Sequence, residues 1–435
     1  MKLQRAKGVR DFGPQEKQAR EKIIARLKNI FEIFGYAPIE TPVIERVDLF
    51  ASKYGVGEGS DTLKESFKFQ DQGGRNLILR SEFTVPLARF VGMNQGMKMP
   101  FKRYQIGQIF RDGPLKPGRY REFWQCDVDI VGAPTGLADV ELIEIAKRVF
   151  QELNLEIEIR FNSRTVLNAI LDQCGIHEDQ RDEALIAIDK FDKVGFSGVR
   201  NELKERKFTA LEIESVMDLL DTGEGTNQEK IKILKRKLRD PSCLKEIEMI
   251  LSYLEREKDV LFLPYLARGL GYYTGPIMEV FLKDRSKIAA SLVGGGRYDK
   301  MISGFLQTKE RYPAAGISFG LETIFDALKP DFEKVRESMA DFYVVAGSSK
   351  ESRAVFTLAR ELRGAGFKTD MDYLGRSFSK ALNYANARNI PYVLILGEEE
   401  MKKDELTLKD MKTGKQKKIN KKDMIQDLTR LLNNL

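Results

Sequence analysis

Apolar and polar residues follow a helical spacing near the start of the chain and a strand-like alternation soon after. Apolar residues recur every three or four positions over 16–34, which predicts a helix that Gly35 ends. The next extended run, 37–44, contains Pro38 and Pro42, so we expect it at a sheet edge or an interface. A further helix is predicted over 137–153, and further strands over 76–79, 103–110, 123–131 and 155–161.

Between 163 and 258 the pattern changes to charged helical segments with few strand signals. Strand patterns then return over 260–266, 277–281 and 288–294, and a helix is predicted over 320–328. Because the returning strands can complete the first sheet, we predict an α+β domain, 1–162 with 259–328, interrupted by a helical insertion at 163–258.

Residues 329–340, with Pro330 and many charges, are predicted to form a linker. Beyond it, strand and helix patterns alternate, which predicts a C-terminal α/β domain over 341–435 with a mostly parallel sheet. Its predicted strands are 342–346, 367–371 and 392–396, and its predicted helices are 351–364 and 377–388.

Composition excludes several kinds of chemistry. The chain has 435 residues but a single histidine, His177, which excludes triads and metal sites built on several histidines. Its three cysteines lie far apart, a spacing that fits neither a disulfide framework nor a zinc site. Any catalysis must therefore use arginine, carboxylates, tyrosine, backbone groups or a bound metal.

Charge and hydropathy indicate where the chain acts and on what. No apolar run reaches the roughly 18 residues of a membrane span, and the first residues lack a signal-peptide core, so we expect a cytoplasmic protein without a membrane partner. The net charge is +7, and the segment from Asp341 to Leu435 holds 18 Lys and Arg against 13 Asp and Glu. This bias fits either a polyanionic partner such as nucleic acid or a solvated surface.

A predicted hairpin around 111–129 is the first candidate for chemistry. It presents Arg111 on one strand and places Gln125, Asp127 and Asp129 on one face of the other. The polar face could be the wet side of an amphipathic strand, whereas the arginines around the turn suit an anionic ligand, because a guanidinium binds phosphate or carboxylate through two hydrogen bonds.

Two glycine-rich segments are the other candidates. Residues 268–275 combine Arg268 with Tyr272 and Tyr273 between glycines, which allows a ligand to approach the backbone closely, although an ordinary turn has the same composition. Residues 294–299, Gly-Gly-Gly-Arg-Tyr-Asp, match no phosphate-loop fingerprint and indicate instead close packing against a sheet.

In this order, the segments resemble the histidyl-tRNA synthetases, a family of class II aminoacyl-tRNA synthetases. The resemblance covers nearly the whole chain. It rests on the following stretches: Gly8-Val9-Arg10-Asp11-Phe12, Thr41-Pro42, Arg80-Ser81-Glu82-Phe83-Thr84, the 111–129 hairpin (motif 2), 268–275, 294–299, and Ala315 to Glu322 (motif 3).

The resemblance implies an antiparallel-sheet catalytic domain that activates L-histidine with ATP and passes it to the 3′ end of tRNA(His). Arg111 and Arg268 then match the catalytic arginines at the ATP α-phosphate, and Arg119 joins them in binding ATP. Matching residues of three segments bind the histidine substrate: Glu82, Thr84 and Gln125 hold the α-amino group, Asp129 and Tyr273 read the imidazole, and Phe83, Arg111, Arg268 and Tyr272 complete the pocket.

The resemblance also implies Mg²⁺ bound with ATP, a homodimer formed through motif 1, and a C-terminal anticodon-binding domain. Three positions depart from the family pattern, namely Gly271 in place of Asp, Thr323 in place of Arg, and Arg-Asp-Gly at the start of the motif 2 loop. Two alternatives stay open: a non-catalytic, synthetase-like regulatory subunit of ATP phosphoribosyltransferase, and an RNA-binding or sensor protein with an inactive synthetase body.

Overall fold

The computed structural model describes residues 2–52, 61–115, 119–134, 136–254, 258–269, 271–332, 336–347 and 351–433. The chain divides into two compact units. The first comprises Met1–Asp11 and Arg20–Pro330, and the second comprises Phe12–Ala19 and Asp331–Leu435.

The first unit is built on an eight-stranded sheet within the described ranges, in the order β1-β5-β6-β11-β10-β9-β7-β8. From β5 to β7 every neighbouring pair is antiparallel. A smaller antiparallel sheet has the order β2-β4-β3. The strands are β1 (Ala37–Pro38), β2 (Ile44–Arg46), β3 (Lys68–Gln70), β4 (Asn76–Leu79), β5 (Phe101–Phe110), β6 (Glu122–Val131), β7 (Ile157–Ser163), β8 (Val260–Phe262), β9 (Pro276–Leu282), β10 (Val293–Arg297) and β11 (Ala314–Gly320).

Helices accompany the large sheet and form the segment between β7 and β8. The helices up to β7 are α1 (Pro14–Ile33), α2 (Val47–Ala51), α3 (Asp61–Lys64), α4 (Thr84–Met93) and α5 (Leu137–Glu152). Those between β7 and β8 are α6 (Arg164–Gln173), α7 (Arg181–Ile188), α8 (Phe191–Glu205), α9 (Ala210–Leu220), α10 (Asn227–Lys237) and α11 (Lys245–Tyr253). The last two are α12 (Met301–Leu306) and α13 (Leu321–Phe332).

Local sequence explains where these inserted helices start. Thr209 and Thr226 precede α9 and α10, and each hydroxyl accepts a hydrogen bond from the backbone N–H three residues on. The carboxylates of Glu212 and Glu229 in turn accept hydrogen bonds from the backbone N–H groups of the two threonines. This completes a capping box, which satisfies N–H groups that have no partner within the helix. The predicted helical character of this segment is therefore encoded locally.

The second unit carries the five-stranded sheet β13-β12-β14-β15-β16, in which β12 pairs in parallel with β13 and β14. The predicted βαβαβ pattern is confirmed, and a hairpin and two helices follow it. The elements are β12 (Phe342–Ala346), α14 (Ser352–Gly364), β13 (Thr369–Met371), α15 (Phe378–Ala387), β14 (Tyr392–Leu396), α16 (Glu398–Lys403), β15 (Glu405–Asp410), β16 (Gln416–Asn420) and α17 (Met424–Asn433).

Three predicted boundaries are wrong. Helix α13 continues through Pro330 to Phe332, inside the predicted linker, since a proline in the last turn of a helix removes only one backbone hydrogen bond. The strand predicted at 260–266 ends at Phe262. The strand predicted at 288–294 begins only at Val293 and runs through the three glycines to Arg297.

The glycines of β10 are there because the neighbouring strands approach closely. A Cβ atom on Gly295 would lie 2.1 Å from the Gly316 carbonyl oxygen, and one on Gly296 would lie 2.5 Å from the Pro276 carbonyl oxygen. Both distances are far below any real contact, so these two positions require glycine. The expected edge position of Pro38 is confirmed, because β1 pairs only with β5 at the end of the sheet order.

Candidate active site

Glu82 lies at the start of α4, just after β4. Its buried carboxylate accepts hydrogen bonds from the backbone N–H groups of Thr84 (2.6 Å) and Val85 (2.9 Å). Burial raises the pKa of Glu82, while these hydrogen bonds act in the opposite direction. The Phe83 ring next to it is fully buried beneath the Arg80 guanidinium, 4.7 Å away, so Phe83 contributes packing.

Arg111 follows β5 directly and is held by the backbone on two sides. Its Nε donates to the Ser81 carbonyl at 3.0 Å, and its backbone N–H donates to the Arg121 carbonyl at 2.9 Å. The guanidinium lies 5.2 Å from the centre of the Phe123 ring. Burial lowers the pKa of Arg111, and Glu82 and Tyr272 oppose that shift, which brings these three groups into one electrostatic site.

Asp129 and Gln125 lie on β6 with small residues opposite them. Asp129 pairs with Gly316 of β11, and Gln125 pairs with Gly107 of β5 and Gly320 of β11. The Oε1 of Gln125 is buried and has no hydrogen-bond partner among the described residues. A buried acceptor without a partner suits an amine or another donor from a ligand.

Asp129 is held by two buried side chains. The Tyr298 hydroxyl donates to its Oδ1 at 2.5 Å, and Arg103 Nη2 lies 2.7 Å from its Oδ2. Asp127, two residues earlier, is buried as well and accepts a hydrogen bond from Ser318. The interpretation of this face as a wet strand surface is therefore wrong, because both carboxylates are buried and paired with neighbouring side chains.

Arg268 crosses over β10 at a position without a side chain. Its Nη1 donates to Glu279 Oε1 at 3.0 Å, and a Cβ atom on Gly294 would lie only 2.0 Å from that Nη1. Burial lowers the pKa of Arg268, but Tyr273 and Glu279 raise it more, so the guanidinium stays charged. Because Gly294 has no side chain, the Arg268 guanidinium can lie over this position of the strand.

Tyr272 and Tyr273 are both buried next to this arginine, with ring centres 4.8 Å apart. The Tyr273 ring centre is 5.6 Å from the Arg268 guanidinium, and the Tyr272 ring meets the Tyr298 ring edge-on at 6.3 Å. Burial raises the pKa of both hydroxyls, which stay neutral and can each donate and accept one hydrogen bond.

The structure thus brings together most of the predicted site. Arg119 lies beyond 116–118, which are outside the described residues, and its charge acts on Arg111. Three residues of the site had no predicted role, namely Arg103, Tyr298 and Glu279. The position of Arg103 follows from the register of the hairpin. Phe110 pairs with Glu122 next to the turn, and seven residues further along each strand Arg103 pairs with Asp129.

The three departures from the family pattern have local explanations or consequences. The Thr323 hydroxyl donates to the carbonyl of Gly320, the last residue of β11, at 2.9 Å, so this position supplies no cation. Asp112, in the Arg-Asp-Gly turn, pairs with Arg121 at 3.0 Å. Gly271 does not adopt a positive φ, and a Cβ atom there would meet only Asp182, at 3.9 Å.

Motif 3 also stabilises motif 2. Glu322, buried at the start of α13, accepts a hydrogen bond from the Trp124 backbone N–H at 2.9 Å and pairs with Arg20 Nη1 at 2.8 Å. A mainly antiparallel sheet with two arginines in one buried polar site, followed along the chain by a separate α/β unit, is the arrangement that the resemblance to class II aminoacyl-tRNA synthetases predicts.

Comparison with known proteins identifies the family. The family model described as histidyl-tRNA synthetase matches residues 8–324, and the model described as anticodon binding domain matches residues 341–431. The chain therefore belongs to the histidyl-tRNA synthetase family, whose members are ATP-dependent ligases.

Individual relatives agree with this assignment. The chain is 39% identical over 426 residues to the histidine–tRNA ligase 1 of Bacillus cereus, with 96% of this chain and 95% of the relative covered. It is similar to the crystal structure of histidyl-tRNA synthetase from Nostoc sp. PCC 7120, with a TM-score of 0.81, 25% identity and 99% of both chains covered.

A structure from Bacillus halodurans C, described as an ATP phosphoribosyltransferase regulatory subunit/histidyl-tRNA synthetase, shares the fold. Its TM-score is 0.74 at 22% identity, covering 91% of this chain and 99% of that one. The ligase is better supported than the regulatory subunit, because the curated relatives are ligases over nearly the whole chain. Among the described residues, no helix is both long and apolar enough to cross a membrane.

Proposed function

We propose that this chain is a histidine–tRNA ligase that works through Arg111 and Arg268. The histidine carboxylate attacks the ATP α-phosphorus, the bond to the leaving pyrophosphate breaks, and histidyl-adenylate forms. A terminal ribose hydroxyl of tRNA(His) then attacks the activated carbonyl, and AMP leaves. The attacking group is already an anion, so the first step needs no general base, and a chain with one histidine can carry it out.

The observation that carries the proposal is the pair of fixed arginines. Arg111 is anchored to Ser81, and Arg268 is anchored to Glu279. Negative charge develops at the α-phosphate as the pentacoordinate transition state forms, and cations already in place stabilise it without reorganisation. Arg119 is proposed as a further ATP contact.

Substrate recognition is proposed for the polar groups beside the arginines. Glu82, Thr84 and the unpartnered Gln125 Oε1 would hold the α-amino group. Asp129 and the Tyr273 hydroxyl would bind the two imidazole nitrogens, one as acceptor and one as donor. A site that forms hydrogen bonds to both imidazole nitrogens through buried polar groups rejects analogues that lack those nitrogens. Phe83 and Tyr272 would support the pocket by packing.

Mg²⁺ is proposed to arrive with ATP. Among the described residues, no group of three or more His, Cys, Asp or Glu side chains could hold a metal ion. Mg²⁺ keeps several waters and binds mainly through substrate phosphates, so the proposed ion needs no such group of side chains. The ion would neutralise phosphate charge beside the arginines.

The second unit is proposed to bind the tRNA anticodon. After β13, Tyr373 and Leu374 are 67% and 73% exposed, and Phe378 at the start of α15 is 38% exposed. Arg376 lies in the same turn, where it donates to Asp372 at 2.6 Å. Exposed aromatic and apolar side chains next to a cation suit stacking of single-stranded bases.

The requirement for tRNA and ATP supports a cytoplasmic location.

A homodimer is proposed through motif 1, together with the small sheet that follows it in the chain. Apolar side chains are exposed on β2, just before it, and on β3, namely Ile44 (49%), Val43 (36%) and Phe69 (40%). Exposed apolar residues on the two outer strands of one small sheet favour burial against another protein surface. Ile44→Glu should convert the dimer to a monomer in light-scattering chromatography, whereas a wild-type monomer would contradict the proposal.

The decisive experiment is ATP–pyrophosphate exchange with purified protein. Exchange that depends on histidine, and that Arg268→Ala abolishes, is expected. Absence of exchange in the wild-type protein would contradict the ligase and favour the regulatory subunit. Transfer to tRNA(His) then tests the second step.

A further inference from the structure

The helices between β7 and β8 approach the segment that carries Arg268, here called the arginine loop (residues 268–275). Three glycines of the loop each face a carboxylate from these helices. The distances, measured from a Cβ atom placed on the glycine, are Gly269 to Asp189 Oδ2 (3.4 Å), Gly271 to Asp182 Oδ2 (3.9 Å) and Gly275 to Glu246 Oε1 (3.4 Å). The inserted helices therefore surround the loop with acidic groups.

Arg164 connects one of these carboxylates to the loop. It is the first residue of α6, it is buried, and its backbone N–H donates to the Gly275 carbonyl at 2.8 Å. Its Nη2 donates to Asp182 Oδ1, also at 2.8 Å. Asp182 of α7 therefore lies near Gly271 and is also linked to Gly275 through Arg164. The two glycines flank the part of the loop that contains both tyrosines.

The charges of this arrangement are interdependent. Burial lowers the pKa of Arg164, and Asp182 is the neighbouring anion that opposes this shift. At the other end of the loop, the charge of Asp189 acts on Arg268. A buried guanidinium that loses its counter-ion is left as an uncompensated charge, which destabilises the contacts that its residue makes.

We propose that the inserted helices position the arginine loop for histidine activation, and that Asp182 is a positioning residue acting through Arg164. The proposal rests on the proposed function, because it concerns the placement of Arg268 and Tyr273 in that reaction. Asp182 itself touches no substrate. Its effect is on the position of the loop, and a displacement of about 1 Å at a reacting centre can lower a rate by about 10²-fold.

The test relocates the carboxylate. Asp182→Ala removes the counter-ion of Arg164 and should lower kcat for histidine-dependent exchange by about tenfold. Gly271→Asp introduces a carboxylate that can reach the position left by Asp182, because the two lie within 3.9 Å. The double variant Asp182→Ala/Gly271→Asp should therefore recover exchange to within about threefold of wild type.

Glu183→Gln is the matched control. Glu183 follows Asp182 on α7 and pairs with Arg206 instead of the loop, so its change should leave exchange unaltered. Thermal unfolding of all variants separates misfolding from misplacement. The proposal is overturned if Asp182→Ala exchanges like wild type, if Gly271→Asp fails to restore it, or if Glu183→Gln loses as much. If the wild-type protein shows no histidine-dependent exchange, the proposed function itself fails.

Discussion

Gly294→Ala tests whether the empty position on β10 is what allows Arg268 to reach the reacting phosphate. The added methyl carbon would lie 2.0 Å from Arg268 Nη1 and 2.8 Å from both Cζ and Nη2. Ordinary contact begins near 3.4 Å, so the guanidinium has to move by about 1.4 Å. It is the far end of a flexible side chain, so the protein should fold, with Arg268 displaced and its bond to Glu279 weakened.

The size of the effect follows from where Arg268 acts. A displacement of about 1 Å costs about 10²-fold in rate, and loss of one donor to a developing charge costs about 10²–10³-fold. We therefore expect kcat for pyrophosphate exchange to fall about 100-fold, which corresponds to about 2.7 kcal/mol. The KM for histidine should change much less, since the imidazole contacts lie on other residues.

A double-mutant cycle gives the assay its sharpest form. If Gly294→Ala acts only through Arg268, the variant Gly294→Ala/Arg268→Ala should be no slower than Arg268→Ala alone. Gly92→Ala is the control, because a Cβ atom there meets only Leu306 at an ordinary 3.4 Å. Additive losses, or a Gly294→Ala enzyme as fast as wild type, would refute the reasoning.

Three further predictions concern recognition, tRNA and pH. Asp129→Ala should raise the KM for histidine far more than that for ATP in exchange kinetics; equal increases would contradict its place in the imidazole pocket. Tyr373→Ala should lower charging of tRNA(His) while exchange stays at the wild-type rate, and unchanged charging would argue against its role in anticodon stacking. Burial raises the pKa of Asp127 to about 8, so from about pH 4 to about pH 8 the folded state keeps a proton that the unfolded chain has lost. The free energy of unfolding should therefore fall as the pH rises through that window, by up to about 1.4 kcal/mol per pH unit. Urea unfolding measured at several pH values should show that the free energy of unfolding of Asp127→Asn depends less on pH than that of the wild type.

Runs of apolar residues are sufficient to predict three strands, 76–79, 342–346 and 392–396, with their observed bounds. The last two are buried along nearly their whole length, whereas β4 has only Ile78 buried. The hairpin of β15 and β16 was missed because β16 is an exposed edge strand with lysines and a single buried residue, Ile419. Such a strand is stabilised by its pairing with β15, which no local pattern records.

The candidate site shows a different limit of sequence reasoning. Alternation placed Asp127 and Asp129 on one face, but the same period of two describes a wet face and a buried polar site. Whether Asp129 is solvated or buried depends on the residues that lie opposite it. These are Gly316 and Arg103, which come from other strands. Arg111, Arg268, Tyr272 and Tyr273 are predictable because their motifs are local, whereas the role of Tyr298 depends on its contact with Asp129, a residue distant in sequence.

The glycines under Asp129 and Arg268 have a consequence for how the site selects its amino acid. Gly316 pairs with Gly296, and Gly294 lies two residues along the same strand, a step of about 7 Å at the usual rise of a strand. The group proposed to read the side chain and the cation proposed to meet the carboxylate at the phosphate thus stand on one hydrogen-bonded lattice. The sheet holds Asp129 and leaves room at Gly294 for the Arg268 guanidinium, so we expect an amino acid longer or shorter by one methylene to reach only one of them. The arrangement would thereby restrict the length of the amino acid that the site accepts.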